Sequence, residues 1–212
     1  ICSRPVSPAG AQPVLVRSPG SRSVQGVLRH NTTNDGVVAL IVPGIGNSGP
    51  GHWQTLWEER HAGWQRVQQR DWDRPVCAEW LLGLDAAMAR LSAPPVLIAH
   101  SMGCLLVAHW AKRSSLPVRA AFLVAVPDPA GPMFPPAAQG FQPVPSEKLR
   151  FPSLVVASNN DPFGSVAYAR RCAADWGSDF VEVGGVGHIN ADSGLGDWPA
   201  GLALFDGFLK SL

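Results

Sequence analysis

From about residue 37 to the C-terminus the apolar positions fall into two alternating patterns. The first is a set of short, nearly unbroken runs: Val37 to Val42, Val96-Leu97-Ile98, Val118 to Val126 and Leu154-Val155-Val156-Ala157. Runs of this length without polar alternation read as strands covered on both faces. A polar piece around Val67 and the short Phe180-Val181-Glu182-Val183 add two more strands. Between them apolar residues recur at helical spacing. They fall at Trp53, Leu56 and Trp57, at Trp80, Leu81, Leu84 and Met88, and at Cys104, Leu105, Ala108 and Ala111. Two further helices are expected from Ser165 to Trp176 and from Trp198 to Leu212, the last with Leu202, Phe205, Phe208 and Leu209 on one side. Strands alternating with helices predict an α/β fold: three layers, a mostly parallel central sheet and helices on both faces.

Residues 1–36 break this pattern. The stretch is rich in Pro, Ser, Gly and Arg and keeps no period, so it is expected to be a poorly ordered extension ahead of a single domain at 37–212.

Composition narrows the partners. The 212 residues are 46% hydrophobic, enough for a substantial core, and the net charge is only +1. Without a basic stripe the chain has no footprint for nucleic acid, and a small molecule is the expected partner. No apolar run approaches the roughly 18 residues that span a bilayer, so no membrane partner is expected. Cys2, Cys77, Cys104 and Cys172 are far apart and form no ligand spacing. They read as free thiols, with neither a metal nor another cofactor, in a reducing compartment. The start lacks a secretory pattern, and a cytoplasmic location is the corresponding expectation. Oligomeric state is left open.

The chemistry concentrates at strand ends. Ala99-His100-Ser101-Met102-Gly103 joins an apolar run to a helical pattern. A serine between small residues at such a junction suggests a nucleophile elbow, where a sharp turn lifts the hydroxyl above the sheet. Ala99 stands where glycine is usual and keeps the steric logic. The plainer alternative is that Ser101 caps the helix.

The first strand runs into Pro43-Gly44-Ile45-Gly46-Asn47-Ser48-Gly49. A phosphate cradle would need a Lys-Ser/Thr ending or GxGxxG spacing, and neither is present. In an acyl-transfer reading the N–H groups of Ile45 and Met102 hold the developing oxyanion, with Gly44 and Gly46 beside the substrate. His52 has two readings, a substrate contact or a cap for the following helix.

Asp161 ends the strand Leu154 to Ala157, and His188 sits in the glycine-rich loop after Val183. Asp128 and Asp192 are rival acids, and Asp161 is preferred. A serine hydroxyl needs a base to attack at neutral pH. His188 would take and return its proton while Asp161 orients the imidazole. The chain order, nucleophile then acid then base, is that of α/β-hydrolases. The proline-rich stretch 128–145 has two readings, a short lid or pocket wall carrying Met133, Phe134 and Phe141, or a simple surface connection.

Five segments together carry a family resemblance over Val37 to Leu212. They are Val42-Pro-Gly-Ile-Gly-Asn-Ser-Gly-Pro-Gly-His-Trp-Gln, Arg70-Asp-Trp-Asp-Arg-Pro, Ala99-His-Ser-Met-Gly, Ser158-Asn-Asn-Asp-Pro-Phe, and Gly187-His-Ile-Asn-Ala-Asp-Ser-Gly-Leu-Gly-Asp-Trp-Pro. The chain resembles the small serine hydrolases related to retinoblastoma-binding protein nine and bacterial YdeN. The resemblance implies a compact α/β-hydrolase with a minimal lid and Ser101, Asp161 and His188 as its triad. It does not extend to retinoblastoma binding, because Pro75-Val-Cys-Ala-Glu79 has proline where a Leu-x-Cys-x-Glu motif needs leucine. The function expected is a serine hydrolase acting on a small ester, thioester or amide through an acyl-enzyme on Ser101. The competing class is a binding or regulatory module on the same fold whose triad turns over slowly or not at all. Dehalogenation is disfavoured because it calls for an aspartate nucleophile.

Overall fold

In the computed structural model, which describes residues 36–212, the sequence pattern becomes a six-stranded sheet. The expected extension, apart from Gly36, and Cys2 lie outside the described residues. In chain order the elements are β1 (Ala39–Val42), α1 (Trp53–Arg60), β2 (Gln65–Arg66), α2 (Cys77–Met88), β3 (Val96–His100), α3 (Met102–Arg113), β4 (Ala120–Val124), β5 (Ser153–Ala157), α4 (Val166–Trp176), β6 (Asp179–Glu182) and α5 (Pro199–Lys210), with a 3₁₀ turn at Ala191–Ser193. The sheet order is β2-β1-β3-β4-β5-β6, and every neighbouring pair is parallel. This is the mostly parallel, helix-covered architecture of an α/β-hydrolase.

Because successive side chains leave a strand on opposite faces, the buried strands feed two separate cores. Leu40, Val42, Leu97, Ala99, Ala121, Leu123, Val155 and Ala157 pack with α2, α3 and α4. Ala39, Ile41, Val96, Ile98, Phe122, Val124, Leu154 and Val156 pack with α1 and α5. Strands β1, β3, β4 and β5 are buried along their whole length, which accounts for their unbroken apolar runs.

Helix α1 departs from the spacing expected of it. Its buried positions are Trp53, Gln54 and Trp57, and Leu56 is only half-buried. Gln54 is tolerated inside because both ends of its amide are bonded: Oε1 accepts from the Ser48 hydroxyl at 2.6 Å, and Nε2 donates to the Ile98 carbonyl at 2.9 Å.

The chain steps outward from β1 to β2 and then restarts on the other side of β1 with β3. The loops after β1 and β3 therefore diverge, and in open parallel sheets ligands bind in the crevice this leaves at the carboxyl ends. No helix among the described residues is long and apolar enough to cross a membrane.

Candidate active site

Ser101 occupies the single residue between β3 and α3. Its backbone is held at φ 54°, ψ −125°, a region costly for a residue with a side chain. Its N–H is anchored to the Val124 carbonyl at 2.9 Å. The turn works only where its neighbours have no bulk. A Cβ on Gly103 would lie 2.2 Å from the Val42 carbonyl oxygen, and one on Gly44 would lie 2.9 Å from the Cβ of Ser101. Ala99, two residues before the serine, is fully buried between β1 and β4. The hydroxyl makes no helix-capping bond, which sets aside the capping alternative. Instead Oγ lies 2.7 Å from His188 Nε2.

His188 is the middle of a short line. Its Nδ1 lies 2.9 and 2.8 Å from the two carboxylate oxygens of Asp161. That carboxylate is almost wholly buried, with 2% of the side chain exposed, and its Oδ1 also accepts the Phe163 N–H at 2.9 Å. The Phe163 ring packs against the imidazole at 4.5 Å between centroids. The His188 loop is fastened to the turn after β5. Asn160 Oδ1 accepts the Gly187 N–H at 2.7 Å, and the Ser158 hydroxyl accepts the Val186 N–H at 3.0 Å while donating to Asn160. Asp128, the rival acid, folds back to accept the Ala130 N–H and has no bond to His188.

The glycine loop leans on the elbow. Gly44 is where contact is closest, and Ile45 follows it into a cavity of about 240 Å³ shared with Ser101, Met102 and His188. Among the described residues neither the Ile45 N–H nor the Met102 N–H has a protein acceptor. Arg66 holds the loop from behind, donating to Asn47 Oδ1, the Ser48 carbonyl and the Thr55 hydroxyl while paired with Glu58.

His52 caps α1 and also lines the cavity. Its Nδ1 accepts the Gln54 N–H at 3.1 Å. Burial, with help from Arg66 and His188, pushes its pKa down to about 3, so the ring is neutral.

Three of the expected substrate contacts, Gly44, Gly46 and Met133, lie elsewhere. Gly44 and Gly46 do not line the cavity: Gly44 is the contact with the elbow, and Gly46, at φ 74°, donates to the Trp72 carbonyl at 2.8 Å. In the proline-rich stretch, Phe134 does form the wall together with Pro135, whereas Met133 points to solvent with 53% exposed. Phe141 is core, packed edge-on against Trp80.

From the sequence, His100 is a residue of the elbow and a weaker candidate for the base than His188, and Asn160 and Phe163 have no role assigned to them. All three stand inside the quoted motifs next to Ser101 or Asp161, and that adjacency was the available signal. His100 is fully buried and burial holds it neutral, with its pKa well below the usual histidine value. Its Nε2 donates to the His188 carbonyl at 2.8 Å.

A protein-family model described as "Serine hydrolase" matches residues 39–207. Among solved structures, a YdeN-like hydrolase from Pectobacterium atrosepticum is 34% identical, superposes with a TM-score of 0.71 and covers 81% of this chain and 90% of its own. The ydeN gene product of Bacillus subtilis is 18% identical, with a TM-score of 0.69, covering 82% of this chain and 99% of that one. Est1E from Butyrivibrio proteoclasticus, solved with ferulic acid bound, is 14% identical with a TM-score of 0.63, covering 85% and 91%. No curated protein sequence matches the chain.

Proposed function

The chain belongs to the serine hydrolase family and is related to the YdeN-like hydrolases, and from that premise we propose that it cleaves a compact ester, thioester or amide through an acyl-enzyme on Ser101. The observation that carries this reading is the line of hydrogen bonds from Asp161 through His188 to the Ser101 hydroxyl.

In the first half-reaction the Ser101 oxygen bonds to the substrate carbonyl carbon as His188 Nε2 takes the hydroxyl proton. Asp161, bonded to Nδ1, fixes the tautomer that leaves Nε2 free to accept, and then stabilises the imidazolium. The carbonyl oxygen gathers negative charge, which the unengaged N–H groups of Ile45 and Met102 stabilise. Collapse breaks the bond to the leaving group, and His188 returns the proton to it. Water then repeats the sequence on the acyl-enzyme. His188 takes its proton, the carboxylic acid departs, and the proton goes back to Ser101.

The cavity bounds the substrate. At about 240 Å³, walled by Ile45, Met102, Phe134, Pro135 and Phe163, it suits a short or compact apolar acyl group, and a small molecule is the partner in this reading. A fluorophosphonate probe tests the proposal. The wild-type protein is expected to label, and Ser101→Ala to lose labelling and to lower kcat on p-nitrophenyl esters by roughly 10⁴ to 10⁶ with the fold intact. Folded wild-type protein that takes up no probe would favour the non-catalytic module instead.

A further inference from the structure

We propose that His100 is a positioning residue for the reaction: through its side-chain N–H to the His188 carbonyl it holds the base in line with Ser101, with Trp53 acting on the next carbonyl. This rests on the hydrolase reading above and assigns a task to a histidine that the proton transfers do not use.

The loop that carries His188 does not hold its shape unaided. Ile189, immediately after the base, has φ 50°, and a β-branched residue in the left-handed region is a strained one. The residue is also completely buried, so its backbone has no water to fall back on. Two side-chain donors meet consecutive carbonyls at this point. His100 Nε2 donates to the His188 carbonyl at 2.8 Å, and Trp53 Nε1 donates to the Ile189 carbonyl at 2.8 Å. Without them these two carbonyls would lose the partners that hold the strained turn in place.

His100 is placed to do this and little else. It is the last residue of β3, so its position is tied through the backbone to Ser101, the next residue. A carbonyl oxygen only accepts, so the neutral ring carries its hydrogen on Nε2. The ring is packed edge-on against His52 at 4.7 Å and Trp53 at 6.1 Å and lies 5.0 Å from the His188 ring. Nucleophile and base thus share one support: the strand end that fixes Ser101 also fixes the peptide of His188. A misplacement of the base by about 1 Å is enough to cost a serine hydrolase on the order of 100-fold in rate.

The test compares two replacements. Gln can place an amide N–H near the position of Nε2, and Leu fills space without a donor. His100→Leu is expected to slow fluorophosphonate labelling and kcat by about 10- to 100-fold with KM within about twofold, and to weaken the downfield proton NMR signal of the Nδ1–H shared by His188 and Asp161. His100→Gln is expected to recover most of the rate and the signal. Trp53→Phe, which removes only the second donor, is the parallel variant should His100→Leu fail to fold, and is expected to weaken the same signal. Wild-type rates and signal in His100→Leu, or equal losses in Leu and Gln, would overturn the proposal. Because the NMR signal is read on the resting protein, it judges the positioning even if the wild type fails to label and the hydrolase reading falls.

Discussion

The two sides of the sheet are built from different materials. The side covered by α2, α3 and α4 is mainly aliphatic, with Leu84, Leu97, Leu105, Leu106, Val107 and Leu123 at its centre. The side covered by α1 and α5 is aromatic: Trp53, Trp57, Trp64, Trp198, Phe122, Phe205 and Phe208 pack there, mostly edge to face. Both sides contain indole N–H groups with partners, but the partners differ. On the aliphatic side Trp80, Trp110 and Trp176 reach the Asp71 carbonyl, the Asp85 carboxylate and the Pro145 carbonyl, none of which lines the cavity. On the aromatic side Trp53 and Trp57 reach the carbonyls of Ile189 and Asp197, in the stretch that follows His188. Aliphatic contact is non-directional and adds stability roughly in proportion to area, whereas an indole donor also dictates where its acceptor sits. One side supports the elbow helix mainly by filling space, and the other adds directed donors to the stretch around His188.

If that division is right, damage on the aliphatic side is expected to show in stability alone, and loss of an indole donor on the aromatic side in turnover as well. The largest expected effect is on Leu84, fully buried in α2. Leu84→Ala should lower the unfolding free energy by about 2–5 kcal/mol in denaturant titrations while leaving kcat of the folded protein unchanged; a tenfold fall in kcat would break the comparison. Acid is expected to strike the other side. His52, with its native pKa near 3 against about 6.5 when unfolded, is protonated more readily in the unfolded chain. Its contribution is complete above pH 6.5 and is lost as the pH falls from there towards 3, amounting to about 2 kcal/mol at pH 5. His100 adds to the loss with the same sign. Denaturation midpoints at pH 7 and pH 5 check this. Next, Trp53→Phe strips the Ile189 carbonyl of its donor and should cost about 1–3 kcal/mol of stability together with roughly tenfold in kcat, itself about 1.4 kcal/mol of barrier. The smallest effect, and the sharpest control, is Trp176→Phe. It removes an indole donor of equal length, to Pro145, and should cost about 1–2 kcal/mol in stability with kcat unchanged by steady-state assay.

Much of the site could be read from the sequence because its members announce themselves by place. Ser101, Asp161 and His188 each follow an apolar run, and side chains at the ends of parallel strands converge whatever lies between them. The supports are hidden for the converse reason. Gln54 contradicts the helical period of α1, and only its partners at Ser48 and Ile98 make it fit for the interior. His100 reads from the sequence only as a neighbour of Ser101 in the elbow, and its acceptor is 88 positions away in the chain. In the stretch 128–145 frequent prolines erase any period, so nothing local distinguishes the wall residue Phe134 from its exposed neighbour Met133 or from the core residue Phe141.

That same stretch is tied down at both ends. The Asp128 N–H bonds the Phe163 carbonyl, a Cβ on Gly164 would strike the Val126 carbonyl at 2.2 Å, and further along Gln139 exchanges backbone bonds with Pro75 and Cys77. The wall that Phe134 and Pro135 give the cavity is thus set between two fixed points of the chain. Encounter should accordingly resemble docking into a cast mould, with association governed by diffusion, fit and desolvation and not by the ordering of a loop.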